Sequence, residues 1–401
     1  MPRAILIASL IAPSLIVAAA HAAPAQTESD AYTRYELLSP ASHKFRILYD
    51  VTATTAGATR YFNPIRPGST ASDESVTDRA TGQPLPFAEV DADEARAGGV
   101  TGAAAGTSYI AVTLARPVPA NGGGARIRII KTYEDAKTYR SEGDAIIFDR
   151  SLGIRRNAVV LPAGYRLAAV NVPVQVLQQA DGRIAVSFLN TSPAPMPLVI
   201  RAVPAAVPAA PSSQAKLLAE RASQTRNIVY YLRDPDSHTF DLTHDYTEER
   251  PGIADYVNIV RTGSTVSNPS ARDLDTGAAL SFETVTGPAI ARFDPGARDL
   301  TADTTAVVFH FPAVTTGTSR RIRMAETYTD PARYTRTGDE LVWHRAFGRP
   351  ANAVVLPPGW ILTNASVPAT VSETDDGRTR LDFTNPRTDE IDVVITARRA
   401  K

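Results

Sequence analysis

The chain repeats itself at a constant offset of 195 residues, and this constrains its fold more than any single motif does. Ser42-His43-x-Phe45 recurs as Ser237-His238-x-Phe240, and Arg66-x-Gly68-Ser69-Thr70 as Arg261-x-Gly263-Ser264-Thr265. Thr132-Tyr133-x-Asp135 pairs with Thr327-Tyr328-x-Asp330. The longest match sets Asn157-Ala158-Val159-Val160-Leu161-Pro162 against Asn352-Ala353-Val354-Val355-Leu356-Pro357. So many coincidences at one spacing mean duplication of a single unit. The expected copies are residues 28–203 and 226–399. Residues 204–225 lie between them as a Pro/Ala-rich linker, with one short helix expected over Gln214 to Gln224.

Alternation within the repeat selects strands. Ile184, Val186 and Phe188 share one face of a strand, as do Phe45, Ile47, Tyr49 and Val51, and Ile391, Val393 and Ile395. Asp181-Gly182 and Asp376-Gly377 precede two of these strands and predict tight hairpins in which both central residues take positive φ. Thirty Pro and 24 Gly supply frequent turns, and neither copy has a long amphipathic helix. The expected class is all-β: two tandem homologous antiparallel β-sandwich-type domains. Periodicity fits one large sandwich per copy as well as a sandwich with a smaller sheet.

Several blocks carry a family resemblance: Tyr35-x-Leu37-x-x-Pro40-x-Ser42-His43-x-Phe45, Pro67-Gly68-Ser69, Asp78-x-x-Thr81-Gly82-x-Pro84-Leu85, and Leu161-Pro162-x-Gly164-Tyr165. They resemble the N-terminal β-domain of glycyl aminopeptidase-type zinc metallopeptidases, and Gly359-Trp360 in the second copy matches that family's Gly-Trp. The family's chemistry needs His-Glu-x-x-His on a helix, which this sequence lacks. The resemblance therefore implies the accessory domain, duplicated without its enzyme, and carries over no catalytic residue, metal ligand or cofactor.

The N-terminus has the form of a secretory signal over residues 1–22: Arg3, an apolar run from Ala4 to Ala20, and Ala20-His21-Ala22 as a cleavage site. The mature protein is then expected in the periplasm or outside the cell, with no integral membrane span. The chain has no Cys, which removes disulfides, lipid attachment through Cys and thiolate zinc sites. Lys plus Arg equals Asp plus Glu at 42 each, so no global field attracts nucleic acid.

Candidate sites are sparse. Tyr165 and Trp360 follow Pro-x-Gly turns, where an aromatic ring could stack on a ligand, although packing is the commoner fate. His43 and His238 are ligand-contact candidates whose ordinary role is a turn hydrogen bond. His238 and His244 fall on one side of a predicted strand, about 20 Å apart at ~3.3 Å per residue, too far to share a metal. Asp273-x-Asp275-x-Gly277 lacks the further oxygen ligands of a calcium loop, and Asn121-Gly122-Gly123-Gly124 reads as a surface loop. Asp50 and Glu134 are a conceivable carboxylate pair.

These features favour a non-enzymatic exported protein whose duplicated domains bind a protein, a peptide or an envelope polymer. One rival is a carbohydrate- or peptide-hydrolysing enzyme with a carboxylate site between the domains. Another is a structural envelope component.

Overall fold

The computed structural model describes residues 23–205 and 218–400. The expected signal segment 1–22 and residues 206–217 of the expected linker and helix lie outside the described residues. Leu218 to Gln224, within them, is turn and irregular chain rather than helix. No helix among the described residues is long and apolar enough to cross a membrane.

The first half runs β1 (Glu28–Leu37), β2 (Lys44–Ala53), β3 (Arg60–Pro64), β4 (Thr70–Asp78), β5 (Phe87–Val90), α1 (Ala92–Ala97), β6 (Tyr109–Thr113), β7 (Ala125–Glu134), β8 (Tyr139–Glu142), β9 (Ala145–Leu152), β10 (Arg156–Val160), β11 (Tyr165–Val170), β12 (Gln175–Gln178), β13 (Ile184–Leu189) and β14 (Met196–Pro204). The second half runs β15 (Asn227–Leu232), β16 (Thr239–Glu248), β17 (Asp255–Ile259), β18 (Thr265–Asp273), β19 (Ala279–Leu280), β20 (Phe282–Thr286), β21 (Thr305–His310), β22 (Arg320–Thr329), β23 (Tyr334–Thr337), β24 (Glu340–Phe347), β25 (Ala351–Val355), β26 (Trp360–Ala365), β27 (Thr370–Glu373), β28 (Thr379–Thr384) and β29 (Ile391–Arg399). Strands β2, β4, β7, β9, β13 and β14 begin and end 195 residues before β16, β18, β22, β24, β28 and β29. The two halves therefore share one chain path.

Each half has three sheets. The large sheet of the first is ordered β12-β13-β10-β1-β2-β7-β4, with a four-stranded sheet β11-β14-β9-β8 and a three-stranded sheet β3-β6-β5. The second half repeats this with β19 added at one edge of its large sheet. Pairing is antiparallel except between β1 and β10 and between β15 and β25, which run parallel. The choice that periodicity left open is thus settled: a sandwich carries a smaller, separate sheet.

Both small sheets lie on one face of the large sheet. Phe45 of β2, fully buried, meets Phe148 of β9 edge-on with ring centroids 5.6 Å apart, while Tyr49 and Val51 further along β2 join a cluster with Ile110 and Val112 of β6. Burial of one such ring stabilises by about 1.5–3 kcal/mol. Between the large sheet and both small sheets the first half has one continuous cluster. In the second it breaks into two clusters, one around Trp343 and Phe240 and one around Phe309 and Tyr246. His244 stands in the interruption, where the first copy has Tyr49.

The opposite faces of the large sheets meet each other, and equivalent residues of the two halves contribute to the contact. Arg126 of the first half donates to both carboxylate oxygens of Asp275 at 2.7 and 2.6 Å, and its equivalent Arg321 pairs with Asp30 of the first half. Gly124 N donates to Leu274 O at 2.8 Å, and its equivalent Ser319 donates through Oγ to Arg79 O at 2.7 Å. The Gly124–Leu274 and Ser319–Arg79 contacts exchange equivalent positions, as at an isologous interface, whereas the partners Asp275 and Asp30 are not equivalent residues. Arg221 ties the connecting segment to the second half, donating to the carbonyls of Gly348 and Asn385.

Several expectations are corrected here. Asn121–Gly124 is part of this junction rather than a surface loop. A Cβ on Gly123 would lie 2.5 Å from Leu274 O, so glycine permits a close backbone approach that sequence does not announce. The Asp-Gly hairpins exist, but only Gly182 and Gly377 have positive φ; the loops are longer than two residues, and Gly182 N donates to Gln179 O at 2.9 Å. The unforeseen helix α1 starts where the Asp91 side chain accepts from the N–H groups of Asp93 and Glu94.

Candidate functional site

The two small sheets of each half leave a gap between them, and the gap opens a cleft onto the core face of the large sheet. In the first half the cleft holds about 590 Å³ and is lined by Thr33, Tyr49, Asn63, Arg66, Lys131 and Arg150, among others. In the second it holds about 230 Å³, and its lining includes Ile228, His244, Asn258, Arg261, Glu326 and Arg345. Taken in order, these residues are equivalent at the 195-residue offset. Sequence comparison therefore carried the site's positions, but not the fact that the topology gathers them.

Each cleft is built around one buried charge on the strand that follows the junction loop. Lys131 of β7 donates to Asn63 Oδ1 at 2.7 Å, and Glu326 of β22 accepts from Asn258 Nδ2 at 2.5 Å. Asparagine carries both a donor and an acceptor, so the same amide serves either sign of charge by turning over. Burial is the main perturbation of both groups. It brings the Lys131 ammonium down to about 7, assisted by Arg150, and pushes the Glu326 carboxyl up to about 7.

Above these groups sits an arginine caged by three rings. The Arg150 guanidinium lies 5.5, 5.6 and 5.7 Å from the centroids of Tyr35, Phe45 and Tyr133, and Arg345 lies 5.3, 5.2 and 5.5 Å from Tyr230, Phe240 and Tyr328. Their nearest carboxylates are distant for ion pairs, Asp135 at 4.0 Å and Asp330 at 3.7 Å. Polar capacity is left open in both clefts. Thr33 Oγ1 and Arg150 Nη1 in the first, and His244 Nε2, Glu326 Oε1 and Arg345 Nη1 in the second, are buried without a hydrogen-bond partner. Burial drives the His244 imidazolium down to about 3, so the ring is neutral, and its Nδ1 lies 3.3 Å from Tyr256 Oη.

Apart from His244, which lines the second cleft, the residues singled out from sequence lie elsewhere. His43 and His238 cap short 3-10 turns in left-handed conformation, φ 52° and 54°, with Nδ1 at 3.0 and 2.7 Å from the carbonyl oxygens of Tyr139 and Tyr334. His238 precedes β16 instead of lying within it, while His244 is on that strand. Tyr165 is half-buried against the first core. Trp360 is buried in the second core, with the Arg399 guanidinium 5.7 Å from its ring. Asp50 is gripped by Arg128 and Arg79, and Glu134 lies about 20 Å along the ladder with Lys44, so they form no pair. Asp273 accepts from the N–H groups of Asp275 and Thr276, closing a turn, while Asp275 faces Arg126. No three His, Asp or Glu side chains among the described residues gather as a metal-ligand group, so the zinc of the resembling family finds no fitting donors here.

No family model and no curated protein matches the sequence. Among solved structures, the chain is similar to an M1 zinc metallopeptidase from Deinococcus radiodurans crystallised with a Tyr-Ser-Ala substrate, at 14% identity over 43% of this chain and 41% of that one, TM-score 0.28. It is similar to an aminopeptidase N family protein from Idiomarina loihiensis at 7% identity over 43% and 29% of the two chains, TM-score 0.27. A candidate protease from Parabacteroides distasonis aligns over 92% of both chains at 12% identity, TM-score 0.25. The alignment spans less than half the length of the metallopeptidases, and the likeness is a weak one, in fold alone.

Proposed function

We propose that this is an exported, non-enzymatic protein that binds a protein, a peptide or an envelope polymer through its two equivalent clefts. The supporting observation is the pairing itself: equivalent clefts each keep buried polar atoms without hydrogen-bond partners, Arg150 Nη1 and Arg345 Nη1 at the same position, while the central charge changes sign from Lys131 to Glu326. Unsatisfied buried polar groups cost about 1–3 kcal/mol each, a cost that a ligand's own polar groups can offset. A duplicated catalytic site would need the same acid or base twice. Two clefts of related shape and different charge fit recognition of two chemically different parts of one partner, with avidity from the covalent link between the halves.

The hydrolase reading has one observation in its favour, a carboxyl in a cleft that titrates about 7. It does not sit between the halves, where Asp30, Asp245 and Asp275 each face an arginine. The test is capture of a partner from native envelope extract by the full mature chain, compared with Arg66→Glu and Arg261→Glu at the cleft rims, alongside a screen for peptide and glycan hydrolysis. Retention of one identified partner by the wild type and its loss from both variants is expected. Turnover by the wild type alone would overturn the proposal.

A further inference from the structure

The two clefts differ in what they can hold, and the difference is in charge and volume. We propose that the first-half cleft is a binding site for the carboxylate of a small acid with an apolar or aromatic body, and that the second-half cleft is not. The inference deepens the binding reading above and rests on it.

Three cations converge on the first cleft: Lys131, Arg66 and Arg150. Against them stands Glu28 at one end, whose two oxygens are taken by the hydroxyls of Tyr49 and Tyr61. Asp135 lies 4.0 Å from Arg150 and accepts from the N–H groups of Lys137 and Thr138 and from the Thr138 hydroxyl. Glu74 acts on Lys131 only through its field. Among the described residues the Arg66 guanidinium makes no hydrogen bond or ion pair. Lys131 has three N–H donors and only two acceptors, Asn63 Oδ1 at 2.7 Å and Pro64 O at 3.4 Å, both neutral. Thr33 Oγ1 and Arg150 Nη1, in side chains more than nine-tenths buried, have no hydrogen-bond partner.

An anion entering here meets unused donors in a partly desolvated space, where charge-assisted hydrogen bonds are about twice as strong as neutral ones. Much of the remaining lining is aromatic, including Tyr35, Tyr49, Tyr61, Tyr109 and Tyr133, and suits an apolar body behind the carboxylate. A volume of about 590 Å³ lies within the roughly 300–1,000 Å³ of small-molecule sites, whereas the 230 Å³ of the second cleft lies below it. There Glu326 replaces Lys131 and Ile228 replaces Thr33, so both the cation and the spare hydroxyl are lost.

The test is isothermal titration of the full mature chain at pH 6 with 3-phenylpropionate and with acetyl-Gly-Phe, each beside its amide. Both acids should bind one per chain, with the amides at least ten-fold weaker, and Lys131→Met and Arg66→Gln should each cost about ten-fold. Arg66 is exposed, so its variant folds irrespective of the effect of Lys131→Met on the core. Arg201→Gln, which removes an exposed charge outside the cleft, should leave affinity unchanged. Tighter binding of acetyl-Gly-Phe identifies a peptide C-terminus as the source of the carboxylate, and tighter binding of 3-phenylpropionate identifies a free acid. Equal affinity for acid and amide, two sites per chain, indifference to Arg66→Gln, or no binding would overturn the inference. In those cases capture from extract, if still lost in the rim variants, leaves the broader binding reading standing.

Discussion

Lys131 and Glu326 are equivalent residues of the repeat, both buried, and each hydrogen-bonds the equivalent asparagine, Asn63 or Asn258. A duplicated β-domain has thus kept the geometry of its cleft while inverting the charge at the centre. Buried charges of this kind are expensive, and their cost is measurable as pH dependence.

Glu326 titrates about 7 when folded against an ordinary 4.5. Between these values the folded protein holds a proton that the unfolded chain has released, so the contribution is fully present below pH 4.5 and is lost as pH rises through 7. The shift corresponds to about 3 kcal/mol at 1.36 kcal/mol per unit. Glu326→Gln should therefore be more stable than the wild type at pH 8 by up to about 3 kcal/mol and nearly equal to it at pH 4.5, as read from urea midpoints at the two pH values.

Lys131 works in the other direction. Its folded value of about 7 lies below the ordinary 10.5, so between these values the unfolded chain binds the extra proton and stability rises with pH. Lys131→Met removes a penalty of the order of 4 kcal/mol at pH 6 but leaves Asn63 Oδ1 unpaired, at about 1–3 kcal/mol. A net gain of about 2 kcal/mol at pH 6, shrinking by pH 10, is the expected denaturation result.

The junction depends on Arg126, whose guanidinium is buried against Asp275 and Ser319. Removing one member of a buried pair costs about 3–5 kcal/mol, because the other charge is left unpaired. Arg126→Ala should lose that amount and separate the thermal unfolding of the two halves into two calorimetric transitions.

His43 holds a left-handed backbone that a β-branched side chain strongly resists. His43→Val should destabilise by about 2 kcal/mol and His43→Asn by much less, with partner capture unchanged in both. Trp360→Ala should cost about 3–5 kcal/mol, as for a ring lost from a core. Melting temperatures separate these effects.

Much of the fold is written in the repeat. Alternating residues such as Phe45, Ile47 and Tyr49 mark a buried face, and the constant offset makes the second half a copy of the first. What alternation cannot encode is which side of the large sheet the small sheets choose, so the gap that opens toward the buried Lys131 and Glu326 was not legible. Both residues look like ordinary strand charges until the flanking sheets bury them. A usable signal was present: aligning the copies places Lys against Glu between conserved Thr-Tyr and Ile or Met neighbours, a charge reversal on a face that is otherwise apolar. Trp360, His43 and His238 are conspicuous by residue type, yet their positions serve packing and turn closure.

The most direct test is an NMR titration of the Lys131 ammonium and the Glu326 carboxyl in the full chain, assigned with Lys131→Met and Glu326→Gln. Buried charges of opposite sign in matching clefts predict that both groups titrate near 7. Midpoints near the ordinary 10.5 and 4.5 would mean that water reaches both side chains freely, and the paired clefts would lose their chemical distinction.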